Sequence, residues 1–204
     1  MRISGKSLFA RTAVSLAAAV FLALIFRPSV ALGAADHVRW DIIHLDATTN
    51  PPTISAGGVA FASARNPSTL SIKLTGSGTF VGPASGGTSS AVTGGGTWET
   101  FSDSTSTGSG TYVVVGLANW TFSNFQPPVL TDLIDDGAAA NGLAVLRIRY
   151  SDGSEGVLGI GCHGPGAPDG TVEGVIASKG HVTYWDAQAP VGGVDANRTV
   201  FHVR

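Results

Sequence analysis

Charge is scarce in this sequence, and cysteine scarcer. Only 13% of the 204 residues are Asp, Glu, Lys or Arg, about half the usual share of roughly 25%. Coiled coils and helical bundles build their surfaces from such residues, so the scarcity excludes both. The formal net charge is −2, from 12 Lys+Arg against 14 Asp+Glu. That excludes a nucleic-acid binder working through bulk positive charge. One Cys excludes a disulfide scaffold within the chain. What is plentiful is glycine, 28 residues, with 10 Pro and 43% hydrophobic residues. This combination points to a β-rich domain of ordinary size.

The first 35 residues read as an export signal. Arg2, Lys6 and Arg11 form a basic start, and Thr12 to Phe26 is free of charge. That apolar run falls short of the ~20 residues that span a bilayer comfortably. Small residues follow Arg27 and Pro28, and Gly33 with Ala35 fits a small-x-small cleavage rule. The expectation is a cleaved signal peptide over 1–35 and one domain over 36–204, secreted to the cell exterior, the periplasm or the cell surface. Arg2, Lys6, Arg11 and Arg27 leave with the signal and no acidic residue does. The mature chain is therefore more acidic, which disfavours nucleic acid and anionic membrane as partners.

Strand signals fill the rest. Leu70-Ser71-Ile72-Lys73-Leu74-Thr75 alternates apolar and polar, the pattern of a half-buried strand. Ile54 to Ala62 reads as its partner. Thr97 to Phe101 and Thr111 to Phe122 are further strands, with Ser102 to Ser109 as a polar loop between them. Tyr112 to Leu117 is apolar on both faces and reads as central. Trp40 to Ile43 and Thr199 to Val203 are the first and last of about nine strands, and no long helix is expected. Residues 82–93 read as a loop. Three segments repeat a Gly-x-Gly-Thr-aromatic pattern: Gly76 to Phe80, Gly94 to Trp98 and Gly108 to Tyr112. Glycine permits sharp bends, and the aromatic then covers the bare backbone of a neighbouring strand. Repeated bends of this kind suit a curved or closing sheet.

The C-terminal third can be read in register. A three-residue loop Ser151-Asp152-Gly153, with Gly153 left-handed, sets Leu146 opposite Leu158, Ala144 opposite Ile160 and Arg149 opposite Glu155. A two-residue turn would put the apolar rows on opposite faces. The same reasoning at Ser178-Lys179-Gly180 sets Ile176 opposite Val182 and Tyr184 over Gly174. Both tight turns then lie at one end of the sheet. The longer connections, Gln126 to Asn141 and His163 to Thr171, lie at the other. His163, Asp132, Asp135, Asp136, Asp169 and Asp186 gather on that rim, where a ligand site is expected.

No catalytic residue stands out. Cys162 and His163 are adjacent, but strand neighbours face opposite ways, and Cys162 shares its face with Leu158 and Ile160. It reads as a buried core residue. Asp132 to Gly137 lacks the alternating acids of a calcium loop, and the spacing of His37 and His44 does not suit zinc. No metal or cofactor is expected. Glu99 and Glu173 can be nominated as a glycosidase pair only on geometry. Trp40, Trp98, Trp120 and Trp185 would bind sugar only if they form a platform. The expected fold is all-β and antiparallel, a small barrel with Gly-rich curved strands, or else a two-sheet sandwich. The expected role is a secreted, non-enzymatic binding or structural module with a small molecule or surface glycan as partner. The alternative is a small barrel enzyme, isomerase- or hydrolase-like, acting on an apolar ligand in the lumen.

Overall fold

The computed structural model describes residues 35–83, 87–134 and 136–204. The expected signal, apart from Ala35, and Asp135 lie outside the described residues. Among those residues there is no helix. The strands are β1 (Asp36–Asp46), β2 (Thr53–Ala56), β3 (Ala60–Ser63), β4 (Leu70–Leu74), β5 (Ser77–Gly82), β6 (Val92–Ser102) and β7 (Thr105–Phe125). They continue as β8 (Thr131–Asp132), β9 (Ala138–Tyr150), β10 (Glu155–Cys162), β11 (Gly174–Lys179), β12 (Val182–Tyr184), β13 (Asp186–Ala187) and β14 (Thr199–Val203).

Six antiparallel strands close on themselves in the order β1, β5, β6, β7, β9, β14 and back to β1. The fold is thus all-β and barrel-like, as its glycine pattern suggested. Two of these strands are long enough to change partner along one edge. β6 pairs with β5 through Val92–Gly95 and with β4 through Trp98–Ser102. β9 pairs with β14 through Ala138–Ala140 and with β10 through Gly142–Arg149. Two wings therefore branch from the ring, β4–β3–β13 and β10–β11–β12. Trp40, Phe80, Tyr112, Leu117, Leu146 and Phe201 fill the interior, in one cluster with Ile72, Leu158, Ile160 and Tyr184 from the wings.

The repeated glycine pattern is what lets the ring close. Its three copies lie side by side on β5, β6 and β7. A Cβ on Gly78 would lie 2.3 Å from Thr93 O and 3.0 Å from the Trp40 ring, one on Gly110 2.4 Å from Ser151 Oγ and 3.0 Å from Trp98, and one on Gly82, just beyond the first copy, 2.8 Å from Trp120. Large rings thus lie directly on bare backbone, where any other residue would hold them off. The indole of Trp98 donates to Thr111 O at 3.0 Å, Trp120 Nε1 donates to Asp36 at 3.1 Å and the Tyr112 hydroxyl donates to Thr75 O at 2.8 Å, whereas the buried Trp40 Nε1 finds no partner among the described residues.

Several expectations need correction. Among the described residues there are 14 strands rather than about nine. Ile54–Ala62 is two strands, because at Gly58 the chain crosses so close to β1 that a Cβ would lie 1.9 Å from Ile43 O. β2 pairs with β1, while β3 pairs with β4. The 102–109 loop is only a tight turn, since Ser102 pairs with Thr105. The described part of 82–93 is mostly a loop, as expected; only Gly82 joins β5, Val92 and Thr93 join β6, and Ser89 makes an isolated bridge to Leu117. Tyr112–Leu117 is central but buried on one face only, as Val113 is 52% exposed.

The first hairpin has the expected register: Leu146 faces Leu158, Ala144 faces Ile160 and Arg149 faces Glu155. The second does not. Ala177 faces Tyr184 and Lys179 faces Val182, which leaves a two-residue turn at Gly180-His181. The inward row of β11 is Val175 and Ala177, continuing the Leu158 and Ile160 row. Ile176 lies on the other face, over Gly159, so matching Ile176 to Val182 chose the wrong row. Both turns do lie at one end: Lys179 binds Asp152, and Gly180 N donates to Glu155 O at 3.3 Å.

Gly153 has φ +87° and Gly180 φ +57°, and a Cβ at either would meet nothing within 4 Å. Any penalty for a side chain there is backbone strain alone. Gly153→Val and Gly180→Val are each expected to cost at least about 1–2 kcal/mol, measured by urea unfolding. Asn should restore most of that loss, and a Val variant as stable as wild type would contradict the assignment.

Candidate functional site

β1 and β14 turn alternate residues inward and outward. Trp40, Ile42 and Phe201 enter the main core, and Asp41, Ile43, Val200 and His202 face out. That outer face would be a liability if left bare, because it mixes apolar and charged groups. β2, β8 and the segment around 126–137 cover it. Ile43, Ile54 and Val200 form a second small core with Leu45, Leu130 and Ile134 against it.

Beside that core runs a charged clamp. Arg39 Nε donates to Asp41 at 2.7 Å, and buried His202 Nε2 lies 2.5 Å from Asp132 Oδ2. Arg204 and Arg39 both pair with Asp136. Burial pushes the Asp41 carboxyl up, and Arg39 opposes this. Two of the acids nominated from the sequence, Asp132 and Asp136, therefore sit in this clamp.

A cleft of about 470 Å³ opens where the small core meets the loops after β10 and before β14. Its apolar walls are Ile43, Leu45, Ile54, Leu130, Pro165, Pro190 and Val200. Its polar groups are Gln126, His163, Glu173, Arg198 and Thr199. This volume is within the range typical of small-molecule sites.

Each polar group is held by identifiable contacts. Glu173 directly precedes β11, and its carboxylate accepts from His163 N at 2.5 Å and Thr199 N at 2.7 Å. The Thr199 hydroxyl reaches Gly161 O at 2.7 Å and Glu173 at 3.3 Å. Burial nevertheless pushes Glu173 up to about 7, against the pull of these donors and of Arg198. His163 Nδ1 lies 2.7 Å from Thr171 O. A carbonyl only accepts, so Nδ1 carries the hydrogen and Nε2 is left for a visitor.

Arg198 follows Asn197, whose backbone is left-handed at φ +60°. Asn197 is pinned on both sides: its Oδ1 accepts from Phe61 N at 2.7 Å and its N donates to Val59 O at 2.8 Å. Ile43 N donates to Arg198 O at 3.0 Å. Behind the cleft, fully buried Asn141 accepts from Gly164 N at 2.7 Å and donates to Asn124 Oδ1 at 3.0 Å and Pro165 O at 3.3 Å. It fixes the His163–Pro165 loop.

Of the nominated residues, His163 lines the cleft. Asp169 and Asp186 are exposed, and neither lines it. Cys162 is fully buried, with Sγ 3.2 Å from Thr199 O and burial pushing its thiol up. That is a core residue, as its parity with Ile160 implied. Glu99 binds Lys73 at 2.9 Å on the sheet, so it does not join Glu173 as a catalytic pair.

The tryptophans form no single platform. Trp40 and Trp98 are core residues, Trp120 packs on Phe80 and Phe201, and Trp185 alone is exposed. Among the described residues no group of three or more His, Cys, Asp or Glu is placed to hold a metal ion. No family model matches the chain, and no curated protein or solved structure matches it.

Proposed function

We propose that the chain is an exported, non-enzymatic binding module that takes a small, largely apolar ligand into the cleft at the edge of the barrel. The observation that carries this reading is the cleft's composition. Seven apolar side chains form its walls, and a few polar groups converge on it. That is the usual make-up of a small-ligand site, in which apolar walls supply affinity and a few polar atoms fix orientation. Export rests on the basic start and short apolar run of residues 1–35.

An enzymatic reading has one observation in its favour. Glu173, pushed up to about 7, is poised where general acid–base groups work best. Its oxygens, however, are engaged by His163 N and Thr199 N, which suits a strut between two loops better than a proton carrier. The interior of the ring is packed with Trp40, Phe80, Tyr112 and Phe201. That supports a ligand at the edge rather than in a lumen.

A neutral fluorescent probe, N-phenyl-1-naphthylamine, tests the cleft. Saturable binding is expected, weakened about tenfold or more by Leu130→Asp, which places a charge on an apolar wall. Absence of saturation, or an unchanged Leu130→Asp variant, would contradict the reading. Export is checked by N-terminal sequencing of secreted protein, which should begin at or within about two residues of Asp36. An intact Met1 on secreted material would refute cleavage.

A further inference from the structure

Arg198 is the group in the cleft that the protein leaves unanswered. Its Nε is buried and makes no hydrogen bond. Among the described residues its guanidinium forms no ion pair within 4.0 Å. The two acids that act on it electrostatically are already committed. Glu173 is bound to His163 N and Thr199 N. Asp195 accepts from Leu45 N at 2.7 Å and pairs with His44 Nδ1 at 2.5 Å. Isolated charge against apolar walls is costly unless something pairs with it.

We propose that the ligand is an amphipathic carboxylate, its head on Arg198 and its apolar body along Ile43, Ile54 and Leu130. This inference rests on the cleft being a ligand site, as argued above.

The head-group chemistry follows from the donors. A guanidinium offers planar, paired N–H groups whose fork matches the two oxygens of a carboxylate. A phosphate dianion would bring a second charge and a third oxygen. Among the residues lining this cleft Arg198 is the only Arg or Lys, so that extra charge would enter an apolar site unpaired. His163, with Nε2 open, stands at the same mouth. The body follows from the walls, since aliphatic surface removes apolar area from water without asking for hydrogen bonds.

The groups facing the head predict the direction of pH dependence. Glu173 and Asp195 supply negative charge near Arg198, and the imidazoles of His163 and His44 are the neighbouring basic side chains. As pH falls through about 7, Glu173 takes up a proton and stops competing for the guanidinium. Carboxylate affinity therefore rises on acidification, and Glu173→Gln, neutral at every pH, removes much of that change.

Titration calorimetry with octanoate and 1-octanol, which share a chain length, tests the inference. Wild type is expected to bind octanoate about tenfold more tightly than 1-octanol, and more tightly at pH 6 than at pH 8. Arg198→Met should abolish the preference while leaving 1-octanol bound. Arg198→Lys should keep part of it, and covers the case in which Arg198→Met fails to fold. Equal binding of acid and alcohol by wild type, unchanged by either substitution, would overturn the carboxylate inference and leave the cleft reading standing. Failure of both compounds to bind would remove both.

Discussion

The contact between an aromatic ring and a glycine backbone is the interaction on which the rest of this structure depends. Trp40 on Gly78, Trp98 on Gly110 and Trp120 on Gly82 each occupy space that a Cβ would need. Without glycine at those positions, strands as long as β6 and β7 would be held away from the rings that fill the interior. With it, they bend far enough for β1 to meet both β5 and β14. Closure leaves the ring itself without a free edge, and the edges of the wings fall on the short strands β12 and β13 at their ends. β6 and β9 change partner along their length and found the two wings.

The cleft is a consequence of that closure. A closed ring fixes β1 beside β14, which aligns Ile43 and Val200 with Asp41 and His202 on one outer face. The His202–Asp132 pair and the pairing of Arg39 and Arg204 with Asp136 hold the covering segment there, and that segment brings Gln126 and Leu130 to the site. Pairs of this kind add little net stability, because solvent screening and desolvation offset much of their attraction. Their consequence here is positional. They set the place of a layer whose apolar part forms a wall of the cleft.

The ring was legible in the sequence to the extent that it rests on local patterns. Period-two alternation located most of the long strands, and the Gly-x-Gly-Thr-aromatic copies indicated a closing sheet. The Leu146–Leu158 register followed from keeping one apolar row on one face. The second hairpin was misread because Ile176 is the larger residue but faces outward over Gly159, while small Ala177 occupies the inward row. The cleft was legible only in part. His163 could be placed at a loop-rich end from strand order. Glu173 and Arg198 could not be grouped with it, because they lie in irregular segments without periodicity. Their burial depends on an outer layer that arises only from long-range pairing of β2 with β1 and β8.

Native-state hydrogen exchange along the β1–β14 seam tests ring closure most directly. In a closed, glycine-bent ring this seam has no free edge from which to open. Its hydrogen-bonded amides should exchange only through global unfolding, with the same opening free energy as those of β7 and β9. If the β1–β14 amides exchange through a local opening while β7–β9 stays protected, the ring is not a cooperative unit, and closure by aromatic rings on glycine does not hold the fold together.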